Sequence, residues 1–131
     1  KKQVSRTWVI VDAKRPESIL GYATTTLTEI EGSSLNTGDA KRFPARGLPA
    51  VRLSRLAVHR EYQGKKIGQR LLLDVMKRTT QLLDNFAVVA LLVDAKDEKA
   101  AEYYQQFGFI SLHENSLKLY LPVATLLALM K

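Results

Sequence analysis

Cysteine is absent from this chain. That excludes a disulfide framework, a thiolate metal site and an acyl-cysteine intermediate. Histidine is scarce, and His59 and His113 stand in unrelated surroundings, so no metal site is expected. No apolar run approaches the ~20 residues of a membrane-spanning helix, and no membrane partner is expected. No basic-then-apolar leader is expected. The sequence enters a strand-like pattern within a few residues of Lys1, so cytoplasmic residence is the expectation. There is no internal repeat and no low-complexity tract.

What remains is an ordinary globular composition, 46% hydrophobic and 25% charged, over 131 residues. That length fits one domain covering 1–131 and is too short for two independent cores. The net charge of +7 is unevenly spread. Residues 41 to 78 carry eleven of the twenty Lys and Arg against two carboxylates, Glu61 and Asp74, which makes this stretch +9 and the remainder −2. Such a zone suits a polyanionic partner, whether a phosphate-rich cofactor, a nucleic acid or both; a solvated basic face would read the same way.

Along the chain, Thr7 to Val11 and Ile19 to Ile30 are rich in β-branched and aromatic residues, and the turn-forming stretch Asp12 to Ser18 lies between them. A hairpin is predicted. Gly32 to Pro49 reads as a long loop that exposes Lys41, Arg42 and Arg46. In Val51 to Val58 the apolar positions change phase near Ser54-Arg55, which fits either a β-bulge or a strand buried on both faces. Ile67, Leu71, Leu72, Val75, Met76, Leu82 and Leu83 recur at helical spacing. Ala87 to Val93 is an apolar run of strand length, covered on both faces. Asp97 can cap a helix over roughly Glu98 to Phe107, and Gly108 sits where a helix end needs positive φ. Ser116 to Leu121 alternates as a final strand, and Pro122 begins a short apolar tail. The order predicts an α/β (α+β) fold, a mixed sheet flanked by helices.

The most informative stretch is Arg55-Leu-Ala-Val-His-Arg-Glu-Tyr-Gln-Gly-Lys-Lys-Ile-Gly-Gln-Arg70. A strand runs through a basic, glycine-containing turn into a helix. Free backbone N–H groups and the positive helix end can bind a pyrophosphate there, with charge from Lys65, Lys66 and Arg70. It is not a P-loop, since the Gly-Lys-Ser/Thr ending is missing. A ligand-free basic turn would look similar.

Leu56-Ala57-Val58-His59 followed by Tyr62-Gln63-Gly64-Lys65-Lys66-Ile67-Gly68 resembles the strand and pyrophosphate loop of the GNAT (general N-acetyltransferase) superfamily, written Q/R-x-x-G-x-G/A. Gln63 and Gly68 match. Lys66 stands at the first motif glycine, a departure expected to alter the loop's geometry or weaken cofactor binding, and Gly64 is out of register. A second stretch, Asp97-Glu-Lys-Ala-Ala-Glu-Tyr-Tyr-Gln-Gln-Phe-Gly-Phe109, resembles the family's helix ending A-x-x-F/Y-Y-x-x-x-G-F. The resemblance implies a mostly antiparallel mixed sheet with a splayed central strand pair, and acetyl-CoA as cosubstrate. Pantetheine would lie along Leu56, Ala57 and Val58, and the pyrophosphate on the turn from Gln63 through Gly64, Lys65, Lys66, Ile67, Gly68 and Gln69 to Arg70. Tyr104 would protonate the departing thiolate; apart from the resemblance, a tyrosine before Gly-Phe reads as core packing.

Ala50 to Val58 contains no carboxylate, whereas lysine-acetylating relatives often carry a glutamate base there. A lysine amine, with an ordinary pKa of ~10.4, needs such help more than an α-amino group at ~7.7 to 8.0. Together with Arg55-Leu-Ala-Val, Tyr104-Gln-Gln-Phe-Gly-Phe and Leu119-Tyr-Leu-Pro, this resembles the GNAT toxins of type II toxin-antitoxin systems. The resemblance implies an aminoacyl-tRNA acceptor, an antitoxin partner and a homodimer. That branch's N-terminal helices have no counterpart in this sequence. The alternatives are a housekeeping acetyltransferase for a small amine or protein N-terminus, and a degenerate, non-catalytic binding module.

Overall fold

The computed structural model describes residues 5–44, 46–113 and 115–130. β1 (Ser5–Asp12) and β2 (Arg15–Ile30) form the expected hairpin, closed by a two-residue turn in which Asp12 Oδ1 accepts the Lys14 N–H at 2.8 Å. The turn is tighter than Asp12 to Ser18 suggests. Pro16 falls where the register slips from the Asp12–Arg15 pair to the Val11–Ile19 pair, so its missing N–H costs no regular ladder bond.

After β2, a short 3-10 turn and α1 (Thr37–Ala40) occupy the expected loop, and β3 (Leu48–Val58) follows. Lys41, Arg42 and Arg46 are exposed, as expected. α2 (Ile67–Leu82) buries Ile67, Leu71, Leu72, Val75 and Met76 along one face. β4 is Ala90–Asp94, three residues shorter at its start than the apolar run. Asp97 caps α3 (Glu98–Gln105) by accepting the Ala100 N–H at 2.8 Å, and Gly108 takes φ 98 beyond its end. β5 (Ile110–Leu112), β6 (Asn115–Pro122) and α4 (Val123–Leu129) complete the chain. Neither β5 nor α4 was expected: one is three residues long, and the other was read as an apolar tail. α4 buries Leu126 in the main core.

The sheet order is β1-β2-β3-β4-β6-β5, antiparallel except for β3 beside β4. The mixed, mostly antiparallel sheet is therefore as expected. One face packs α2, α3 and α4 over Val51, Leu53, Leu91 and Val93, and the other packs the β2–β3 connection over Ala50, Ala90, Leu92 and Tyr120. β4 is thus buried on both faces. Tyr120 also fastens that connection, donating to Asp39 Oδ2 at 2.6 Å and accepting the Asn36 N–H at 3.1 Å. Among the described residues, no helix is long and apolar enough to cross a membrane.

The phase change in β3 is a bulge. Arg55 pairs with Thr24 and Leu53 with Thr25, which leaves Ser54 as the extra residue, its hydroxyl donating to the Thr24 carbonyl at 3.2 Å. The insertion returns Leu56 and Val58 to the core that holds Val51 and Leu53.

Candidate active site

β3 and β4 pair only from Val51–Leu91 to Leu53–Val93. Beyond that point they separate, and Leu56, Ala57 and Val58 keep a β2 partner on one side only. Apart from the Val58 carbonyl, which accepts from the Gln63 side chain, backbone N–H and C=O groups on the other edge have no strand partner among the described residues and are open to an extended ligand. The gap is a cavity of about 340 Å³ lined by Tyr22, Ser54, Arg55, Leu56, Ala57, Asp94 and Tyr104, among others.

Tyr104 reaches this cavity from α3. Its ring packs edge-on against Phe109 and Tyr103, with centroids 5.8 and 5.7 Å away, and the residue is 9% exposed. Among the described residues its hydroxyl has no hydrogen-bond partner. Burial, and then neighbouring Tyr103, raise its pKa above the ordinary 10, so the phenol keeps its proton through the physiological range. The ring packs in the core, and the residue also lines the cavity.

The free edge of β3 leads directly into the basic turn. His59 ends the strand: its N–H donates to the Leu20 carbonyl at 2.8 Å and its Nδ1 accepts the Glu61 N–H at 3.2 Å. Gln63 Nε2 donates back to the Val58 carbonyl at 3.3 Å, closing the loop on the strand. Lys65 Nζ lies 5.6 Å from the centre of the Tyr62 ring. Gly64 has φ 82 and Lys66 has φ 63, so the lysine holds the left-handed conformation that a motif glycine would supply.

Lys66 precedes α2 without a side-chain cap, and the first turn carries no acidic residue. The first helical bond runs from the Arg70 N–H to the Lys66 carbonyl at 3.1 Å, so Ile67, Gly68 and Gln69 present unclaimed N–H groups. A Cβ at Gly68 would meet only Val58 Cγ2 at 3.5 Å, leaving the helix start open to a ligand. Backbone donors, a positive helix end and nearby cations fit a pyrophosphate.

The basic residues are dispersed. Arg52 and Arg55 line the polar face of β2 and β3, while Arg42, Arg46, Arg60 and Lys77 are exposed elsewhere. Arg78 is committed: it stacks 3.7 Å from the centre of the Trp8 ring and bonds Asp74 at 2.8 Å. Tyr22 and Asp94 join the cavity without having been singled out in the sequence. For Asp94 a signal existed, since the first polar residue after a buried parallel strand lies at the C-terminal crevice of a sheet. Among the described residues, no group of His, Asp and Glu could hold a metal ion.

Strand divergence feeding an uncapped helix start, with Tyr104 lining the gap, fits a fold that holds an extended, phosphate-bearing acyl donor. The family described as acetyltransferase (GNAT) domain matches residues 3–111, and the chain belongs to it. A tRNA-acetylating toxin of Mycobacterium tuberculosis is 38% identical over 72 residues, which are 55% of this chain and 43% of that protein, so the match spans under half of that relative's length. Among solved structures, AtaT complexed with acetyl-methionyl-tRNAfMet is 28% identical with a TM-score of 0.88, covering 98% of this chain and 76% of that one. AtaTR bound with AcCoA is also 28% identical, with a TM-score of 0.81 and coverage of 98% and 76%.

Proposed function

We propose that this chain is a cytoplasmic, acetyl-CoA-dependent N-acetyltransferase that passes acetyl directly to the α-amino group of an aminoacyl-tRNA, acting as a translation-inhibiting toxin with an antitoxin as its protein partner. The observation that carries the reading is the cavity between β3 and β4, where the free edge at Leu56 to Ala57 and Tyr104 face one space. The similarity to AtaT bound to acetyl-methionyl-tRNAfMet and to AtaTR bound with AcCoA supports the acceptor and the donor respectively.

Leu56, Ala57 and Val58 offer backbone partners to the pantetheine arm. Lys65, Lys66 and Arg70 supply charge, and the N–H groups from Ile67 to Gln69 supply donors, for the pyrophosphate. Gln63 and Gly64 shape the turn. With the thioester fixed at the gap, attack by a neutral amine gains chiefly from positioning, and an α-amino group reaches neutrality near physiological pH. Tyr104 donates its proton to the departing sulfur. Arg52 and Arg55, beside the cavity, suit the acceptor's phosphates.

The deciding experiment transfers labelled acetyl from acetyl-CoA to pooled charged tRNA, with uncharged tRNA, peptides and polyamines in parallel. Label confined to peptides or polyamines would sink the tRNA assignment. Absence of any acetyl-CoA shift in melting temperature at millimolar ligand would favour a non-catalytic module. Tyr104→Phe is expected to lower turnover by about a hundredfold while acetyl-CoA affinity changes little. Full turnover in that variant, with chemistry limiting the rate, would return Tyr104 to a purely structural role.

A further inference from the structure

We propose that Asp94 is the anchor for the acceptor's amino group, an inference that rests on the acetyl-transfer reading above. Asp94 is the last residue of β4 and follows the final β3–β4 pair, Leu53–Val93, so it stands at the point where the strands part. Among the described residues it is the one carboxylate lining the cavity that contains Tyr104. Two further cavities adjoin. One, of about 550 Å³, runs over the polar face of β2 and β3 past Thr24, Thr26 and Arg52; the other, of about 510 Å³, lies towards Glu29, Glu31 and Lys118. Asp94 is the residue common to all three.

Its surroundings leave the carboxylate uncommitted. Arg55 and Lys96 line the same cavity and Lys118 is its cross-strand partner, yet among the described residues Asp94 makes no side-chain hydrogen bond or salt bridge. The exposed carboxylate therefore costs nothing in broken native contacts when a ligand claims it. The chain as a whole is +7 and repels a cation, so an ammonium needs a local anion to approach the thioester. A carboxylate accepts hydrogen bonds from the ammonium, and from the neutral amine after it has lost a proton.

The proton count closes around this contact. The bound ammonium releases one proton to water. Its nitrogen then forms the C–N bond to the thioester carbonyl carbon as the C–S bond breaks. The sulfur takes the Tyr104 proton, and the nitrogen's second proton returns through solvent to Tyr104. One proton is released per acetyl transferred. Asp94 holds the nitrogen in reach throughout and is itself unchanged.

The test compares an aminoacyl-tRNA with the same tRNA bearing the corresponding hydroxy-acid ester, used as a competitive inhibitor, in wild type and Asp94→Asn. Asn keeps the shape and removes the charge, and a melting curve checks the fold. Wild type is expected to bind the amino form about tenfold more tightly, roughly the contribution of one charge-assisted hydrogen bond. Asp94→Asn is expected to bind the two forms alike, with KM for the acceptor raised about tenfold and acetyl-CoA affinity unchanged. A variant that keeps the amino preference overturns the proposal, as does a wild type without one, even where transfer to tRNA is intact. If wild type acetylates a small amine and not charged tRNA, the tRNA reading fails on its own, and the same comparison with that amine and its hydroxyl analogue still judges Asp94.

Discussion

Replacing Lys66 with glycine restores the family's motif and removes a cation, and the geometry of the turn decides how the two effects combine. Lys66 already sits at φ 63, ψ 21. A side chain there costs roughly 1–2 kcal/mol, and glycine gives back about 0.5–1 kcal/mol through the greater freedom of its unfolded chain. The apo protein should therefore gain up to ~1.5 kcal/mol, a rise of a few degrees in melting temperature for a chain of this size. The turn's shape should not change, so acetyl-CoA loses only the attraction of one exposed charge beside the helix start, about two- to fivefold in Kd. Scanning fluorimetry without ligand and calorimetry with acetyl-CoA separate the terms, and Lys66→Ala serves as the control that loses the charge and keeps the strain. A tenfold gain in affinity for Lys66→Gly would refute the reasoning, because it would mean that the lysine had been distorting the turn. Equal stabilisation by alanine would remove the strain argument.

Two further substitutions test the scaffold. Tyr120→Phe removes the hydroxyl that joins Asp39 and Asn36 across the β2–β3 connection and should cost about 1.5–3 kcal/mol in chemical denaturation. Burial and the Asp39 hydrogen bond push the Tyr120 pKa up to about 12, so its contribution is complete below pH 10 and is lost as pH rises from 10 through 12; in the Phe variant that alkaline loss should be smaller. Gly21→Ala would set a Cβ 2.8 Å from the Ala57 carbonyl oxygen and 3.0 Å from a Leu71 methyl. About 1–3 kcal/mol of overpacking is expected, together with weaker acetyl-CoA binding as the start of α2 is pushed off the strand.

Signals confined to a few neighbouring residues were legible in the sequence. The cap at Asp97, the positive φ at Gly108 and the helical stripe from Ile67 follow from rules that act over one or two turns. The bulge was half legible, because the phase change showed that something happened near Ser54 while the pairing that names the extra residue belongs to β2. Pairings distant in sequence were out of reach. Tyr120 meets Asp39 across 81 residues, and Asp94 and Tyr104 share a cavity with Leu56 and Ala57 only because β3 and β4 diverge. β5 was missed for another reason: three residues carry no usable period.

With Ser54 in the chain, the bulge is required by packing as well as by the site, and deleting that one residue should separate the two. β3 must place Val51 and Leu53 against α2 and α3, and Leu56 and Val58 against the same core, which a regular strand of period two cannot do. In a regular strand Arg55 and Ala57 would turn inward, setting a guanidinium among buried aliphatic side chains while Leu56 and Val58 faced solvent. Burying that charge without a partner would cost several kcal/mol, beyond what a domain with the usual 5–15 kcal/mol of stability absorbs easily. Deleting Ser54 itself restores period two with Leu56 and Val58 still inward and Arg55 on the polar face, so the deletion variant is expected to keep most of its stability, and adding Arg55→Leu should gain nothing. The folded deletion variant should nevertheless bind acetyl-CoA poorly, since the insertion it lacks is what bends β3 away from β4 and leaves its edge unpaired. A deletion variant with wild-type affinity would mean that the divergence arises from something other than the bulge, and one that does not fold would mean that Ser54 is not the extra residue.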